Sequence, residues 1–321
     1  MASLVASHSC TVKATLDSQR STEEQDVQVC DATMFNSSTL TWPINFYTSM
    51  TLQQQPFDIL AETYDENFSH TQIGKLQRAR VWEKLLPVLK ANKKPLNILE
   101  INCGTGEDAL QLAAMGHYVI ATDASAAMIA KAAQKISTSI AAQNRVSFIQ
   151  CSFEELALQS FDWKFDLIFS NFGGLNCIDS AGLAALSKVF SKVLNPGGQL
   201  FFVVMGTFCA WETGWHLVRG KFSTAFRRCK KHAPFTIAGK TIPVCYYSPA
   251  TFKKLLCHEF AYINSFAAGL FIPPSYLEPF FLKRQAMLGK LNALEKKLAG
   301  PSIMCRLSDH YCIVFKKKEQ E

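Results

Sequence analysis

The stretch ILEINCGTGEDALQLAAMGHYVIATDAS, from Ile98 to Ser125, decides how the rest of the chain is interpreted. Its apolar, β-branched start predicts a buried strand, which is followed by a glycine-rich turn and a helical pattern. A second apolar run, YVIATD (118–123), predicts another strand that ends in an acid. This order of strand, glycine turn, helix and strand is typical of folds that bind a nucleotide. It raises the question of which nucleotide the turn holds.

The alternation of strands and helices continues along the chain. Helical patterns separate further apolar runs that we interpret as strands: VSFIQC (146–151), FDLIFSN (165–171), QLFFVVM (199–205), FAYINSFAAGLF (260–271) and a last one within RLSDHYCIVFKKK (306–318). Most of these runs are apolar on both faces, as buried parallel strands are. The pattern predicts an α/β fold with right-handed crossovers and a sheet covered by helices on both sides.

Composition and pattern divide the chain into five segments. Residues 1–49 are rich in Ser and Thr and predict a disordered extension, and residues 50–95 predict a helical cap. Residues 96–206 form the predicted nucleotide-binding core. Residues 207–300 are expected to supply lid inserts and a sixth strand, and residues 301–321 the last strand. Within the lid, residues 207–257 are predicted to be mostly helical and residues 276–299 to form one amphipathic helix.

Composition excludes several classes of protein. The chain has 321 residues, 48% of them hydrophobic, but its apolar runs fall well short of the ~20 residues that span a bilayer. The N-terminus does not resemble a secretory signal. Eleven scattered cysteines without a C-x-x-C pair indicate reduced thiols, which predicts a cytoplasmic protein. The net charge of +7 is concentrated in VRGKFSTAFRRCKKH (218–232) and at Lys316–Lys318. Such basic runs can attract an acidic ligand, nucleic acid or a membrane surface, but we favour a solvated face.

The glycine turn favours a nucleoside ligand. Gly104, Gly106 and Ala109 fit the pattern G-x-G-x-x-A between a strand and a helix, where glycine lets the backbone approach a ligand closely. Asp123 ends the next strand, and an acid at that place can accept both hydroxyl groups of a ribose.

Acidic residues beside the turn argue against a dinucleotide. Glu100 lies inside the first strand, and a pyrophosphate would be repelled by its carboxylate, whereas an amino group would be attracted. Glu107 and Asp108 occupy the helix start, where a pyrophosphate is otherwise held. For Glu107 we favour the alternative that it only complements the helix dipole.

These residues carry a resemblance to a known family. E-x-N-x-G-x-G at 100–106, Asp123, SNFGGLN at 170–176 and LNPGG at 194–198 resemble class I S-adenosylmethionine-dependent methyltransferases. The similarity covers roughly residues 56–206, and the helical cap resembles that of members that act on small molecules. The first glycine of the family is replaced by Asn102, which tolerates left-handed backbone. The resemblance implies a Rossmann-like, doubly wound sheet of seven strands with an antiparallel last strand, an N-terminal helical cap and an inserted helical lid.

The resemblance also implies S-adenosyl-L-methionine as the cofactor and a set of residues that bind its methionine end, ribose, adenine and sulfonium. These residues are Tyr64, Arg80, Glu100, Asn102, Gly104, Gly106, Asp108, Asp123, Ala124, Met128, Ser152, Phe153, Ser170, Asn171 and Phe172. For Tyr64 and Arg80 the alternative is a packed aromatic ring and a surface cation. For Met128 it is a plain core residue.

Candidates for catalysis lie in the predicted lid. Glu212 and His216 are four residues apart, so on a helix they share a face, with His216 as a base that Glu212 positions. The alternative, which we weigh more heavily, is a structural helix that exposes this polar pair. Tyr246, Tyr247 and Tyr276 are further candidates to face an acceptor. The histidines are dispersed without metal-ligand spacing, which predicts catalysis without a metal.

The leading hypothesis is transfer of a methyl group to an O, N or C atom of a small molecule that is anionic or aromatic. An RNA or protein methyltransferase is the first alternative, but SNFGGL lacks the proline pair that amine targets in macromolecules would favour. Glu100 opposes an NAD-type oxidoreductase, and the intact turn disfavours a non-catalytic binding protein. We expect neither a membrane nor a nucleic acid as partner. The oligomeric state is left open.

Overall fold

A computed structural model describes residues 56–137, 142–159, 161, 163–230, 233–237 and 240–319. The extension predicted over residues 1–49 and the first residues of the predicted cap lie outside this part of the chain. Within it, no helix is both long and apolar enough to cross a lipid bilayer.

The sheet is built from strands β1 (Asn97–Ile101), β2 (Tyr118–Asp123), β3 (Val146–Gln150), β4 (Phe165–Ser170), β5 (Leu194–Met205), β8 (Phe260–Ala268) and β9 (His310–Lys317), while β6 (Ala233–Ile237) and β7 (Lys240–Val244) form a separate hairpin. The α-helices of the described residues are α1 (Gln72–Lys90), α2 (Glu107–Ala114), α3 (Ala126–Ile136), α4 (Phe153–Leu156), α5 (Ser180–Val193), α6 (Ala210–Val218), α7 (Phe222–Ala225), α8 (Pro249–Leu256), α9 (Glu278–Phe281) and α10 (Gln285–Leu298). Short helical turns at Pro56–Leu60 and Asp65–Ser69 precede α1.

The strand order in the sheet is β3-β2-β1-β4-β5-β9-β8. The first five strands run parallel, whereas β9 is antiparallel to both of its neighbours, β5 and β8. This confirms the predicted doubly wound sheet of seven strands with an antiparallel last strand. The chain reverses its direction of winding between β1 and β4, and in such sheets the crevice at the carboxyl ends of these strands is where ligands bind.

Strand β5 shows why the central strands are apolar throughout. Phe202 and Val204 are buried in the core on one face of the sheet, together with residues of α5 and α8. Phe201 and Val203 are buried in the core on the other face, together with residues of α1 and α2. Because successive side chains of a strand point to opposite faces, a sheet covered on both sides needs apolar residues at consecutive positions.

The region after β5 differs from the sequence-based expectation in two respects. Residues 207–257 were expected to be mostly helical, but they contain the hairpin of β6 and β7. Its sequence PFTIAGKTIPV has two short β-branched runs around a glycine, which is a hairpin signal. The single helix expected over residues 276–299 is divided into α9 and α10, so that Leu288 is buried whereas Leu294 and Leu298 are about 40% exposed or more.

Two buried or half-buried carboxylates fix the lid, one to the cap and the other to the segment that follows β8. Glu278 of α9 accepts hydrogen bonds of 2.9 Å from the backbone amides of both Gln72 and Ile73, and thereby caps the start of α1. Glu295 of α10 is fully buried and accepts hydrogen bonds from the amides of Gly269 (2.9 Å) and Phe271 (2.6 Å). Elements far apart in sequence therefore meet over the carboxyl ends of the parallel strands. The division into five segments itself stays a prediction.

Candidate active site

The turn after β1 takes the left-handed conformation three times. The φ angles are 51° at Asn102, 55° at Gly104 and 78° at Gly106. The side chain of Asn102 stabilises this geometry, because its Oδ1 accepts a hydrogen bond from Ser170 Oγ (2.7 Å) and its Nδ2 donates one to Asn171 O (3.2 Å). Asn102 therefore replaces a glycine without loss of the turn and ties it to the end of β4.

Gly106 is required by packing as well as by its backbone angle. A Cβ atom at this position would lie 2.8 Å from Ala132 Cβ and 2.8 Å from Phe148 Cζ. Gly116 also has a positive φ angle, of 96°, but a Cβ there would have no neighbour within 4 Å. Both glycines need left-handed backbone, but only Gly106 has neighbouring atoms close enough to exclude a side chain.

We expect Gly106→Ala to lower the free energy of unfolding by about 1–3 kcal/mol more than Gly116→Ala does. Both variants carry the strain of a left-handed alanine, but only the first one forces α2 away from α3 and β3. Urea unfolding of the two variants measures the difference, and equal losses would contradict the packing argument.

Asp123 supports the turn while it remains available to a ligand. Its Oδ2 accepts a hydrogen bond from Gly104 N (2.9 Å) and its Oδ1 one from Ser125 N (2.9 Å). Burial raises the pKa of this carboxyl group, although the two backbone hydrogen bonds oppose the shift. A carboxylate has about four acceptor positions, so Asp123 can still accept hydrogen bonds from two ribose hydroxyl groups.

Glu100 is a buried acid with an unpartnered oxygen. The residue is 1% exposed, and its Oε2 has no hydrogen-bond partner among the described residues. Burial, with a further contribution from the charge of Asp108, raises the pKa of Glu100 well above its usual value. A buried carboxylate in this state is costly unless a ligand cation pairs with it. The amino group of an amino-acid ligand fits this requirement.

Asp108 organises the crevice from the start of α2. It forms an ion pair with Arg78 and accepts hydrogen bonds from Trp82 Nε1 (2.7 Å) and Asn171 Nδ2 (2.8 Å). It thereby joins α1 to the residue that follows β4. Asp108 therefore positions Arg78 and Asn171, and its direct contact with the cofactor stays a prediction.

The arginine beside the crevice is Arg78 and not Arg80. Arg80 is buried elsewhere, with its Nη1 2.8 Å from Glu83 Oε1 and its Nε 4.0 Å from Glu295 Oε1. The guanidinium of Arg78 instead lies 5.1 Å from the centre of the Phe172 ring. Two positions on a helix differ by about 200° in direction, so only one of the two arginines can face the site. We therefore expect Arg78, in place of Arg80, to reach the carboxylate of the cofactor.

Aromatic rings line one side of the crevice. Their centres are 5.6 Å apart between Tyr64 and Phe68, 4.8 Å between Phe68 and Phe172, and 5.7 Å between Phe172 and His310. The Tyr64 ring lies next to Gly104, 3.9 Å from where a Cβ atom would be. Burial raises the pKa of Tyr64 to about 12, so its hydroxyl group stays protonated and can donate a hydrogen bond.

The residues expected around the adenine take part in local structure. Ser152 caps α4, since its Oγ accepts a hydrogen bond from Glu155 N (3.2 Å) and its own amide donates one to Glu155 Oε2 (2.8 Å). Met128 is 2% exposed, and Phe153 packs against the core. Ala124 is half-buried at the end of β2. Their contact with an adenine ring stays a prediction.

The expected pair of Glu212 and His216 is not formed. Glu212 is 1% exposed and accepts four hydrogen bonds of 2.6–3.1 Å from the guanidinium groups of Arg227 and Arg228. Burial opposes its ionisation, but the two arginines outweigh this and hold the pKa of Glu212 below its usual value. His216 Nδ1 is buried without a partner in the described part of the chain, and burial lowers the pKa of this histidine. Glu212 therefore neutralises the lid arginines and does not position a base.

An ion-pair network connects the lid to the start of β9. Arg228 Nη2 lies 2.6 Å from Asp309 Oδ1, and Asp309 Oδ2 lies 3.2 Å from His310 Nδ1. Neither Asp309 nor His310 was expected from the sequence, although an adjacent acid and histidine just before an apolar strand is a visible signal. Since Glu212 and Asp309 neutralise Arg227 and Arg228, the basic run offers less positive charge to an anion than the sequence suggests.

The three tyrosines proposed for the acceptor side differ in their surroundings. Tyr247 is buried, and its hydroxyl group donates a hydrogen bond to Ile178 O. Tyr246 places its ring 5.3 Å from the guanidinium of Arg228, and Tyr276 is 46% exposed. Only the last two are therefore free to face an acceptor.

One group of possible metal ligands occurs among the described residues. Side-chain atoms of Asp65, His70 and Glu107 lie within 4.8 Å of one another. Lys135 Nζ already lies 2.5 Å from Asp65 and 2.6 Å from Glu107, which supplies the positive charge that these acids require. That catalysis needs no metal stays a prediction.

The chain is similar to known methyltransferases over its core. Residues 98–198 match the sequence model of the methyltransferase domain family. The tRNA 5-carboxymethoxyuridine methyltransferase of Escherichia coli K12 is 31% identical over 150 residues, which are 46% of this chain and 56% of that protein. The demethylmenaquinone methyltransferase of Clavibacter sepedonicus is 28% identical over 152 residues, 47% of this chain and 57% of that protein. The chain thus spans little more than half the length of these curated relatives.

The fold is also found in solved structures. The crystal structure of a Pyrococcus horikoshii protein superposes with a TM-score of 0.51 at 18% identity, over 79% of this chain and 98% of that one. The sheet order is that of a doubly wound α/β fold. Because residues 98–198 match a methyltransferase domain, the resemblance of the core to class I S-adenosylmethionine-dependent methyltransferases is confirmed.

Proposed function

We propose that the protein is an S-adenosylmethionine-dependent methyltransferase that acts on a small molecule. The observation that carries this proposal is the buried, unpartnered carboxylate oxygen of Glu100 beside the glycine turn of a methyltransferase domain. A buried acid at this place fits the amino group of a methionine moiety and opposes a pyrophosphate.

Each end of the cofactor has suitable groups in the crevice. Glu100 would bind the amino group, Arg78 and Tyr64 the carboxylate, and Asp123 the ribose hydroxyl groups. When bound, S-adenosylmethionine supplies a methyl group that carries the positive charge of a sulfonium. Phe172, which follows β4, offers an aromatic face that tolerates such a cation, as Arg78 already shows by lying against it.

The protein would contribute alignment and exclusion of water. Methyl transfer is an in-line displacement, and holding the two reactants in position can lower its barrier by about 7–11 kcal/mol. The elements that follow β5 and β8 pack into a common cover, since Trp211 donates a hydrogen bond of 2.9 Å to Phe271 O and packs against Phe281. Glu278 joins this cover to the cap. This cover supports an enclosed site for a small acceptor.

An RNA acceptor is the second candidate, because the similar protein of E. coli modifies tRNA. That similarity covers less than half of this chain, and the relative from C. sepedonicus acts on demethylmenaquinone instead. Binding of RNA depends on cations that contact phosphates. In the lid, Arg227 and Arg228 are already paired with Glu212, which favours the small molecule.

We expect S-adenosylmethionine and S-adenosylhomocysteine, but neither NAD nor NADP, to raise the thermal stability of the protein. A ligand at 100 times its Kd adds about 2.7 kcal/mol to the free energy of unfolding. Asp123→Ala should abolish most of this gain, because it removes the expected ribose acceptor. Stabilisation by NAD alone would refute the proposal, and salt-dependent binding of tRNA at micromolar concentration would favour the RNA alternative over the small molecule.

A further inference from the structure

His310 lies at the same edge of the sheet as the end of β4. It is the first residue of β9 and pairs with Met205, the last residue of β5, and with Ala268, the last residue of β8. The ring of His310 is 5.7 Å from that of Phe172 and nearly perpendicular to it. A histidine therefore borders the position that we assign to the sulfonium.

The preceding residue fixes the orientation of this histidine. Asp309 Oδ2 lies 3.2 Å from His310 Nδ1, and Asp309 is held in turn by Arg228 (2.6 Å) and by Gln77 Nε2 (3.2 Å). Burial opposes the ionisation of Asp309, but its interactions with His310, when that histidine is protonated, and with Arg228 outweigh burial and hold the pKa of Asp309 well below its usual value. An ionised Asp309 at this distance favours the neutral tautomer of His310 that carries its proton on Nδ1, which leaves Nε2 as an acceptor.

Nε2 of His310 is available to a ligand. It makes no hydrogen bond within the described residues, and the side chain keeps 11% of its surface exposed. His216, the base expected from the sequence, lacks a carboxylate partner because Glu212 is bound to the two arginines. Of the two histidines, only His310 has the orienting acid that a general base requires.

We propose that His310 is the general base of the reaction and that the acceptor is a hydroxylated aromatic small molecule. This inference rests on the proposed function. A neutral hydroxyl group is a poor nucleophile and needs to lose its proton as it attacks, whereas a neutral amine attacks with its own lone pair. The rings of Phe68, Phe172 and His310 form a cluster of edge-to-face contacts, and an aromatic acceptor can join it by the same kind of contact.

The step conserves atoms and charge. The oxygen of the acceptor attacks the methyl carbon, an O–C bond forms, and the bond between carbon and sulfur breaks with its electron pair left on sulfur. The hydroxyl proton moves to Nε2 of His310, and Asp309 stabilises the imidazolium that results. The products are a methyl ether, a neutral thioether and a protonated histidine, which returns its proton to solvent.

Several charged groups lie near His310 on its own and on neighbouring elements. Asp309 precedes it directly in the sequence. Arg228 of the lid contacts Asp309 and is itself paired with Glu212. Arg78 of α1 lies against the ring of Phe172. Among them only Asp309 contacts the imidazole directly. We expect kcat/KM to fall on the acid side, as protonation of His310 removes the base.

A second pair of adjacent histidine and acid provides a matched control. His258 Nδ1 lies 3.0 Å from Glu259 Oε1, but the side chain of His258 is 89% exposed. It precedes β8, whose first residue Phe260 pairs with Lys317 at the opposite edge of the sheet. The two pairs share their chemistry and differ in their distance from the crevice.

The test measures methylation of catechol and 2-naphthol, with 2-naphthylamine as the amine counterpart. His310→Gln should lower kcat/KM for the two hydroxyl compounds by about 10²–10⁴-fold and remove the acid limb of the pH profile, while His258→Gln changes neither. The melting temperature and the affinity for S-adenosylhomocysteine should be retained. In His310→Ala, added imidazole should restore part of the rate, which a merely structural role would not allow.

Three other outcomes would contradict the inference, and each identifies a different assignment as wrong. If wild-type protein binds S-adenosylhomocysteine but methylates neither hydroxyl compound, or only the amine, the acceptor class is wrong. If His216→Gln and not His310→Gln removes the acid limb, the base is wrongly assigned. Failure to bind S-adenosylhomocysteine at all would instead refute the proposed function on which the inference rests.

Discussion

Replacing Glu212 by alanine is expected to lower the free energy of unfolding by about 3–5 kcal/mol. The carboxylate is buried, and its loss leaves Arg228, itself 5% exposed, with only Asp309 as a charged partner. Arg227 would lose both of its hydrogen bonds to the same group. Removal of one partner from a buried ion pair costs more than the pair contributes, because the remaining charge stays away from water.

The matched control for this substitution is an ion pair on the surface. Glu62 lies 2.6 Å from Lys131 but is 77% exposed, so Glu62→Ala should cost at most about 1 kcal/mol. Urea unfolding of both variants gives the comparison. A Glu212→Ala protein that kept its stability but lost methyl transfer would restore the catalytic role that the sequence suggested.

The stabilisation of the fold by Glu212 depends on pH, and its lowered pKa determines the direction of this dependence. The pKa of Glu212 is lower in the folded protein than its usual value, so its ionisation stabilises the fold at pH values above that usual value. As the pH falls through the folded pKa, the wild-type protein takes up this proton and loses the stabilisation. The difference between wild type and Glu212→Ala should therefore shrink in acid.

The core of the fold could be predicted because its signals are local. Strands β1, β2 and β4 and the second half of β5 are largely apolar on both faces. The left-handed turn at Asn102–Gly106 is visible in the sequence because Asn and Gly are the residues that tolerate such backbone angles. Asp123 could be placed at the edge of the crevice because parallel strands bring their carboxyl ends together. Each of these inferences depends on residues close together in the sequence or on a general rule of topology.

The lid and the choice between neighbouring residues could not be predicted in the same way. Whether Arg78 or Arg80 faces the crevice depends on the rotational position of α1, which packing against the sheet decides. The partners of Glu212 are 15 and 16 residues away, and Arg228 is 81 residues from Asp309. The pattern of one helix showed Glu212 and His216 on one face but gave no information about these competing cations.

Glu100→Gln is expected to weaken the binding of S-adenosylhomocysteine by about 10- to 100-fold. A hydrogen bond to a charged group contributes about 1.5–3 kcal/mol, and glutamine keeps the shape of the side chain while it removes the charge. Glu107→Gln makes the same change of charge at the start of α2, but Glu107 is paired with Lys135 at 2.6 Å. That variant should keep its affinity within about twofold, as isothermal titration calorimetry can measure.

The raised pKa of Glu100 makes this binding depend on pH. In the free protein the carboxyl group keeps its proton to a higher pH than an exposed glutamate, so a ligand ammonium group must displace that proton to form the ion pair. Affinity should therefore rise with pH until Glu100 is ionised in the free protein, and binding should release a proton, which makes the heat depend on the buffer. Glu100→Gln should show neither effect. It should also become more stable relative to the wild type as the pH rises, because only the wild type must then bury a charge without a partner. If the variant bound as tightly as the wild type at every pH, Glu100 would not be the acceptor of the amino group.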